Sequence, residues 1–575
     1  MPPRTSNWRE TTVMVLLAII VGIVTSYAAL GFLWAINNLH ILLFGAKGDA
    51  LYLQLEKISG WYLLLVTIAG AIVVRLIVEY WMPEQRNHSP ADVIEAARLK
   101  SGDLSIKAGV SSAVASIISI GSGASVGRYG PAVHLGASLG SWLAQLLKLT
   151  KERKKNLLAC GVAGAISASF SAPLAGVVFA HEVVLGRFGS KSVMPIVISS
   201  VVATAIVKIH AQDNMIFILP DPPVFANLEY FLFALVGVIG GVLAVVYMYL
   251  MVLFNQLAQQ FSVPSIIKSL VGGLLLGCIL IVFPQAFGLG EQIIRDALHY
   301  ELTLDVLLEL LLAKLLATSI SFAAGFSGGV FGPALFLGAM LGTAFGMGVQ
   351  GFEEIVASPA VYAVVGMGAV VSRVIGAPIA TILIVFELTG SYSLMTAVMV
   401  SVVVGSTVTR EFFNRSYFYH QLRARGTEPE ISQVQQHLNE LSVNALVQIQ
   451  PYVLTAEMTL QAAQLALKPY TSSIIEAYVI NKEGRLIGQI NTVKLINMND
   501  EKVLNQPLED MLSQPSVIFT KGISVYHAYL RIKDFKGVTV PVLDGQTQQF
   551  LGVVYVSQLV EGCLQAFEKF RLEER

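Results

Sequence analysis

The chain has 575 residues, 54% of them hydrophobic and only 13% charged, with acidic and basic side chains equal in number. A soluble chain of this size needs far more surface charge, so most of this one is expected to lie in a membrane, and no nucleic-acid partner is expected. Its three cysteines, Cys160, Cys278 and Cys563, are odd in number and scattered, which excludes a disulfide framework and argues against a cysteine metal site.

The first apolar run, residues 13–34, follows MPPRTSNWRE. It is longer than a signal-peptide core and no small-residue cleavage site follows it, so it is expected to be retained. Further runs at residues 61–78, 231–254, 266–283, 306–324 and 394–408, with shorter glycine-interrupted runs between them, predict more than ten helices. After about Arg425 the composition changes. Charged residues appear throughout, and β-prone runs such as AYVIN, VTVPVL and LGVVYV alternate with amphipathic helical stretches, which predicts a soluble α/β domain. The expected division is a membrane domain, residues 1–428, and a tail, residues 429–575.

Within the membrane part the sequence repeats itself. GRYGPAVHLGA at residues 127–137 returns as GVFGPALFLGA at residues 329–339. VAGAISASFSAPLAGVVFAHEV at residues 162–183 aligns with MGAVVSRVIGAPIATILIVFEL at residues 367–388, which sets Pro173 against Pro378 and Glu182 against Glu387. This is a duplication. The loop KLTKERKK, residues 148–155, carries five basic residues against one acid, whereas its counterpart GMGVQGFEEIVASPA has no Lys or Arg. By the positive-inside bias the two loops face opposite sides, so the halves are expected to be inverted relative to each other, as in transport proteins with a site near the bilayer midplane.

Each phrase places small residues before a Gly-Pro pair, Gly130-Pro131 and Gly332-Pro333, and a helical apolar stretch follows. Proline suits a first helical turn, and the flanking Gly127 and Gly329 admit a close approach to the main chain. The free amides of such a start carry partial positive charge and hold an anion without a lysine or arginine. Two starts meeting from inverted halves predict an anion site whose dipoles bind weakly enough for throughput. The equivalent placing of Glu182 and Glu387 predicts a shared structural task, accepting hydrogen bonds at a helix junction.

On GSGASVGRYGP, SGGVFGPALF and SAPLAGVVFAHE the chain resembles the CLC family of chloride channels and proton/chloride antiporters, over most of residues 13–426, and its tail resembles the tandem CBS domains of many members. The resemblance implies a mainly α-helical polytopic membrane fold with an inverted internal repeat, an α/β cytoplasmic CBS pair, a homodimer, and residence in the plasma (inner) membrane. Carried over by motif, the amides of Val330 and Phe331, with Gly332 beside them, face a central anion, chloride or a similar small ion, and those of Arg128, Tyr129 and Gly130 face an outer one. The family's site serine is replaced in RNHSPADVI, where Asn87 takes its place and Ser89 lies close. The family's site tyrosine falls in SYFYHQ, where Phe418 is in register, flanked by Tyr417 and Tyr419.

Two departures bear on mechanism. Most members have a gating, proton-carrying glutamate where this chain has Tyr129, and antiporters have a second glutamate where it has Val183. A phenol stays neutral at ordinary pH, and without titratable groups a proton does not cross hydrocarbon. The expected activity is passive anion conduction, as a channel or uncoupled transporter gated by Tyr129, with proton-coupled antiport as the alternative. His134 and His181 are read as packing positions. In the tail, Lys494 and Gln558 stand where nucleotide-binding CBS pairs carry the ribose aspartate, so no cofactor is expected. A divalent-cation transporter would need acidic residues within the spans, and no nucleophile–base pair, metal cluster or phosphate loop suggests an enzyme.

Overall fold

Eighteen α-helices follow one another between Trp8 and Ala424 in the computed structural model, which describes residues 8–210, 219–220, 224–350, 356–410, 412, 416–427, 438–439, 441–449, 453–470, 476–498 and 504–574. Eight of these helices are long and apolar enough to cross a bilayer. The six apolar runs of the sequence coincide, to within one residue at their ends, with stretches of α1 (Trp8–Phe44), α3 (Gly60–Tyr80), α10 (Glu229–Gln260), α11 (Ser265–Val282), α13 (Leu304–Ala323) and α17 (Tyr392–Thr409). The pattern did not delimit α9 (Ser190–His210), whose apolar run is interrupted by Pro195 and by Ser192, Ser199 and Ser200. These serines are buried against neighbouring helices.

The repeat is α6 (Tyr129–Leu146), α7 (Lys151–Phe170), α8 (Pro173–Phe179) and α9, matched by α14 (Phe331–Val349), α15 (Pro359–Ile375), α16 (Pro378–Thr389) and α17. In each half the first two helices touch backbone to backbone. A Cβ on Gly136 would collide with the Gly161 carbonyl, and one on Gly338 would collide with that of Gly366. Such contacts suit a membrane, where close packing does the work that water exclusion does elsewhere.

The halves meet through contacts that come in mirrored pairs. Ser116 Oγ lies 3.0 Å from Ser327 Oγ, and Ser125 Oγ lies 3.1 Å from Thr318 Oγ1. The Ser327 N–H donates to Ser119 Oγ, and the Ser125 N–H donates to Ser321 Oγ. Ser119 and Ser116 lie on α5 (Ile106–Gly121), and Ser321 and Thr318 lie on its counterpart α13. All of these groups are buried, where an unpaired hydroxyl or amide would be costly.

Contacts divide the chain into Met1–Pro429 and Glu430–Arg575. The expected boundary at residues 428 and 429 lies outside the described residues, as do residues 351–355 of the acidic loop. The second unit holds two three-stranded sheets of identical order. In one, β1 (Leu454–Thr455) runs parallel to β2 (Glu476–Ile480), which pairs antiparallel with β3 (Leu486–Asn491). In the other, β4 (Phe519–Thr520) and β5 (Thr539–Leu543) are parallel, and β6 (Phe550–Tyr555) is antiparallel to β5. Helices Leu460–Leu467 and Thr492–Ile496 accompany the first sheet, Val525–Arg531 and Val556–Glu574 the second. The tail is thus a doubled unit, as the sequence led one to expect. The strand pairs match the β-prone runs, whereas β1 and β4 are too short to leave a periodic signal. Within this second unit the Tyr478 hydroxyl of β2 joins the two sheets by donating to the Thr539 carbonyl of β5 at 3.0 Å.

Candidate anion site at paired helix starts

The two Gly-Pro phrases lie side by side. The Gly127 N–H donates to the Gly329 carbonyl and the Gly329 N–H to that of Gly127, both at 2.7 Å, in an antiparallel bridge. Only glycine permits this approach, since a Cβ on Gly329 would lie 2.8 Å from the Gly130 nitrogen and one on Gly127 would lie 2.8 Å from that of Gly332. Directly beyond the bridge, α6 starts at Tyr129 and α14 at Phe331, with Arg128 and Val330 as N-caps and no side chain capping either start. Pro131 and Pro333 occupy the first turns. The amides of Tyr129, Gly130, Phe331 and Gly332 are those that a helix leaves without intrahelical partners.

Neighbouring starts are closed. Ser89 caps α4 (Pro90–Arg98) in a reciprocal box with Asp92, and Ser416 caps α18 (Tyr417–Ala424). Glutamates from the opposite half close α8 and α16. Glu387 accepts from Leu174 N and Ala175 N at 2.9 and 2.8 Å, and Glu182 accepts from Ile379 N and Ala380 N at 3.1 and 2.8 Å. The carboxylates thus serve as helix caps exchanged between the halves, with charge matched to the positive end of each helix. Glu387→Ala leaves two amides of α8 without their acceptor, and thermal unfolding in detergent is expected to show a loss of about 2 kcal/mol with anion selectivity unchanged.

Tyr129 is the first residue of α6. Its ring is 4% exposed, stacks on Phe170 with centroids 4.0 Å apart, and meets Phe331, its repeat counterpart, at 5.1 Å. Its hydroxyl donates to Glu291 Oε1 at 3.3 Å. Pro90 at the start of α4 comes close to Gly130, and the Tyr247 hydroxyl donates to the Val330 carbonyl at 3.4 Å.

The remaining candidates separate. Asn87 sits where expected, but its side-chain N–H₂ donates to the carbonyls of Gly325 and Phe326 at 3.0 and 3.3 Å. These carbonyls follow the end of α13, where acceptors lack helical donors, so the amide is occupied there instead of facing an anion. The Ser89 hydroxyl accepts from Ala91 N and donates to Gln421 Oε1 at 2.8 Å. Tyr417 is buried beside Phe322, and Phe418 is buried without a polar group to offer. The Tyr419 hydroxyl accepts from Arg98 Nη1 at 2.6 Å, and the same guanidinium donates to the carbonyls of Val183 and Val184. Of the three aromatics, Tyr417 and Tyr419 carry a hydroxyl, and that of Tyr419 is engaged by Arg98. Glu291, Phe170, Gln421 and Tyr247 left no signal in the sequence, because each is an ordinary residue far along the chain from the motif it touches.

A sequence profile described as voltage gated chloride channel matches residues 69–410. The chain belongs to the CLC family. A ClcB-like chloride channel protein from Ralstonia nicotianae is 30% identical over 400 residues, 68% of this chain and 92% of its own. The voltage-gated ClC-type chloride channel ClcB of Escherichia coli is 29% identical over 417 residues, 71% of this chain and 98% of its own. In fold the CLC chain is similar to a slow cyanobacterial Cl−/H+ antiporter, with TM-score 0.65 and 22% identity over 72% of this chain and 97% of that one. It is also similar to a eukaryotic CLC transporter, with TM-score 0.62 and 18% identity over 94% and 97%, a likeness that extends across the tail. CLC members are channels and transporters of anions, and this one is an integral membrane protein.

Proposed function

We propose that this CLC protein conducts chloride or a similar small anion passively, without proton exchange, through the space between the starts of α6 and α14, with Tyr129 as the gate. The observation that supports this best is the reciprocal Gly127–Gly329 bridge, which sets two uncapped helix starts together inside the protein. Partial charges from backbone amides attract an anion without holding it as a fixed cation would. Tyr129 and Val183 provide no carboxylate, so the proton route drawn from the family is interrupted at both places. The protein works as a homodimer in the inner membrane with its tail in the cytoplasm, and the tail serves structure and dimerisation without a bound nucleotide.

Purified protein in liposomes under a chloride gradient is expected to give a reversal potential set by chloride alone. A reversal potential that moves with an imposed pH gradient would instead support proton-coupled antiport. One cluster favours that second reading. His134 is fully buried, neither ring nitrogen has a hydrogen-bond partner among the described residues, and its ring lies 5.4 Å from that of His88, whose Nδ1 is 3.5 Å from Asp92. Buried titratable groups beside α4 and α6 are the kind of stepping stone a proton needs. Asp92, however, is already held by Arg86 at 2.6 Å and Arg425 at 3.0 Å, which leaves it poorly placed to receive protons.

A further inference from the structure

We propose that Glu291 is the positioning residue of the gate: its carboxylate fastens Tyr129 at the start of α6, and its protonation releases the ring. The inference rests on the reading that Tyr129 obstructs the anion route. One oxygen, Glu291 Oε1, accepts from the Tyr129 hydroxyl at 3.3 Å and from Arg128 Nη2 at 3.1 Å. Arg128 Nη2 lies 3.5 Å from the Tyr129 hydroxyl, and the guanidinium carbon lies 5.2 Å from the ring centroid. Two consecutive residues, the N-cap Arg128 and the first residue of α6, Tyr129, are therefore tied to a single carboxylate on a different helix. The Glu291 side chain is 26% exposed, so water can deliver a proton to it, whereas the ring it holds is buried.

The carboxylate sits on a pinned support. Glu291 opens α12 (Glu291–Leu298) after Gly290, whose left-handed φ of 73° suits glycine. The Gly290 N–H donates to the Tyr52 hydroxyl of α2 (Asp49–Leu55) at 3.1 Å. Just before it, the carbonyls of Ala286 and Gly288 accept from Lys314 Nζ at 3.0 and 2.8 Å. Lys314 is fully buried on α13 and lies 4.9 Å from the Phe336 ring centroid. An ammonium is costly inside a membrane protein, and here it anchors the segment that carries Glu291. With the support fixed, release of the latch moves Tyr129 and not Glu291.

The charged and titratable groups around Glu291 are Arg128 and Tyr129 from α6, Tyr52 from α2 and Lys314 from α13. On α12 itself, Gln292 bridges Asp296 and Arg295. α14 has no ionisable side chain, and Tyr362 and Arg373 of α15 bond to Glu229 and the Thr409 carbonyl. Glu291 is thus the acidic group in contact with the gate. While charged, it holds the hydroxyl and offsets Arg128. Once protonated, it no longer holds the hydroxyl and the ring is free, so anion flux rises as pH falls.

The test is chloride efflux from liposomes containing the full chain, with equal pH on both sides, compared between neutral and acid pH. Wild-type efflux is expected to rise roughly tenfold on acidification, the change produced by losing one hydrogen bond to a charged group. Glu291→Gln, Glu291→Ala and Tyr129→Phe are each expected to show the acid-level efflux at neutral pH with a flat profile. The Tyr129→Phe/Glu291→Ala double variant should exceed neither single one, as for two ends of one contact. Low neutral efflux with a wild-type pH rise in folded Glu291→Gln overturns the proposal. A chloride-inert wild type would tell against the conduction reading, and an independent readout then decides the latch. A structure solved at acid pH should show Tyr129 lifted from Phe170, and a ring still stacked there overturns the latch whatever the protein transports.

Discussion

Gly329→Ala is expected to abolish most chloride transport and to lower stability. The added Cβ would stand 2.8 Å from the Gly130 nitrogen, 3.1 Å from its Cα and 3.3 Å from the Gly127 carbonyl oxygen. All of these are backbone atoms and none can rotate away. Relief requires the phrases to separate, which breaks the pair of 2.7 Å bonds. Loss of two buried backbone hydrogen bonds costs about 2 kcal/mol, and the displaced starts of α6 and α14 no longer converge. Efflux is expected to fall at least about tenfold, which corresponds to roughly 1.4 kcal/mol in barrier height. Thermal unfolding in detergent and chloride efflux measure the two effects separately. Gly348→Ala provides the control, because nothing lies within 4 Å of a Cβ there. Equal behaviour of the two variants would show that close approach of the phrases is irrelevant to conduction.

Tyr129→Ala is expected to act in the opposite direction and raise efflux. The ring packs against both Phe170 and Phe331, which also touch each other, at the first residue of α6. Its removal leaves the helix starts, the bridge and both prolines in place while taking away the obstruction. Each tenfold rise in flux corresponds to about 1.4 kcal/mol of barrier removed, and at least one such step is expected. Tyr129→Phe, which keeps the ring and loses only the bond to Glu291, is expected to fall between wild type and Tyr129→Ala. Unchanged or slower efflux in Tyr129→Ala would leave the ring a packing role only. Tyr129→Glu adds a separate comparison, since it restores a carboxylate at the gate position, and a reversal potential that then shifts with pH would show that the rest of a proton route survives.

Much of the membrane fold was legible because a duplication states the same local rules twice. Apolar length located the long spans, and proline at first turns located helix starts in both halves. The segment of α9 escaped because its serines look like a loop until neighbouring helices bury them. The site was legible where chemistry resides in the main chain, as at Gly127 and Gly329, since glycine at a close contact leaves a mark in sequence. It was less legible where a side chain chooses among partners. Asn87 stands at the anticipated place, yet the carbonyls of Gly325 and Phe326 claim its amide, and nothing in RNHSPADVI announces carbonyls so distant in the chain.

By itself, the sequence determined that this protein lives in a bilayer, is built from two related halves and starts a helix with the same glycine-proline phrase in each. These are properties of composition, periodicity and repetition, which survive in one dimension. Only the tertiary structure decided that the phrases bond to each other, that Glu182 and Glu387 cap helices of the opposite half, and that Tyr129 is tied to Glu291. Those outcomes depend on which groups meet across long separations, where every buried donor and acceptor must find a partner, and that matching is settled by packing in space.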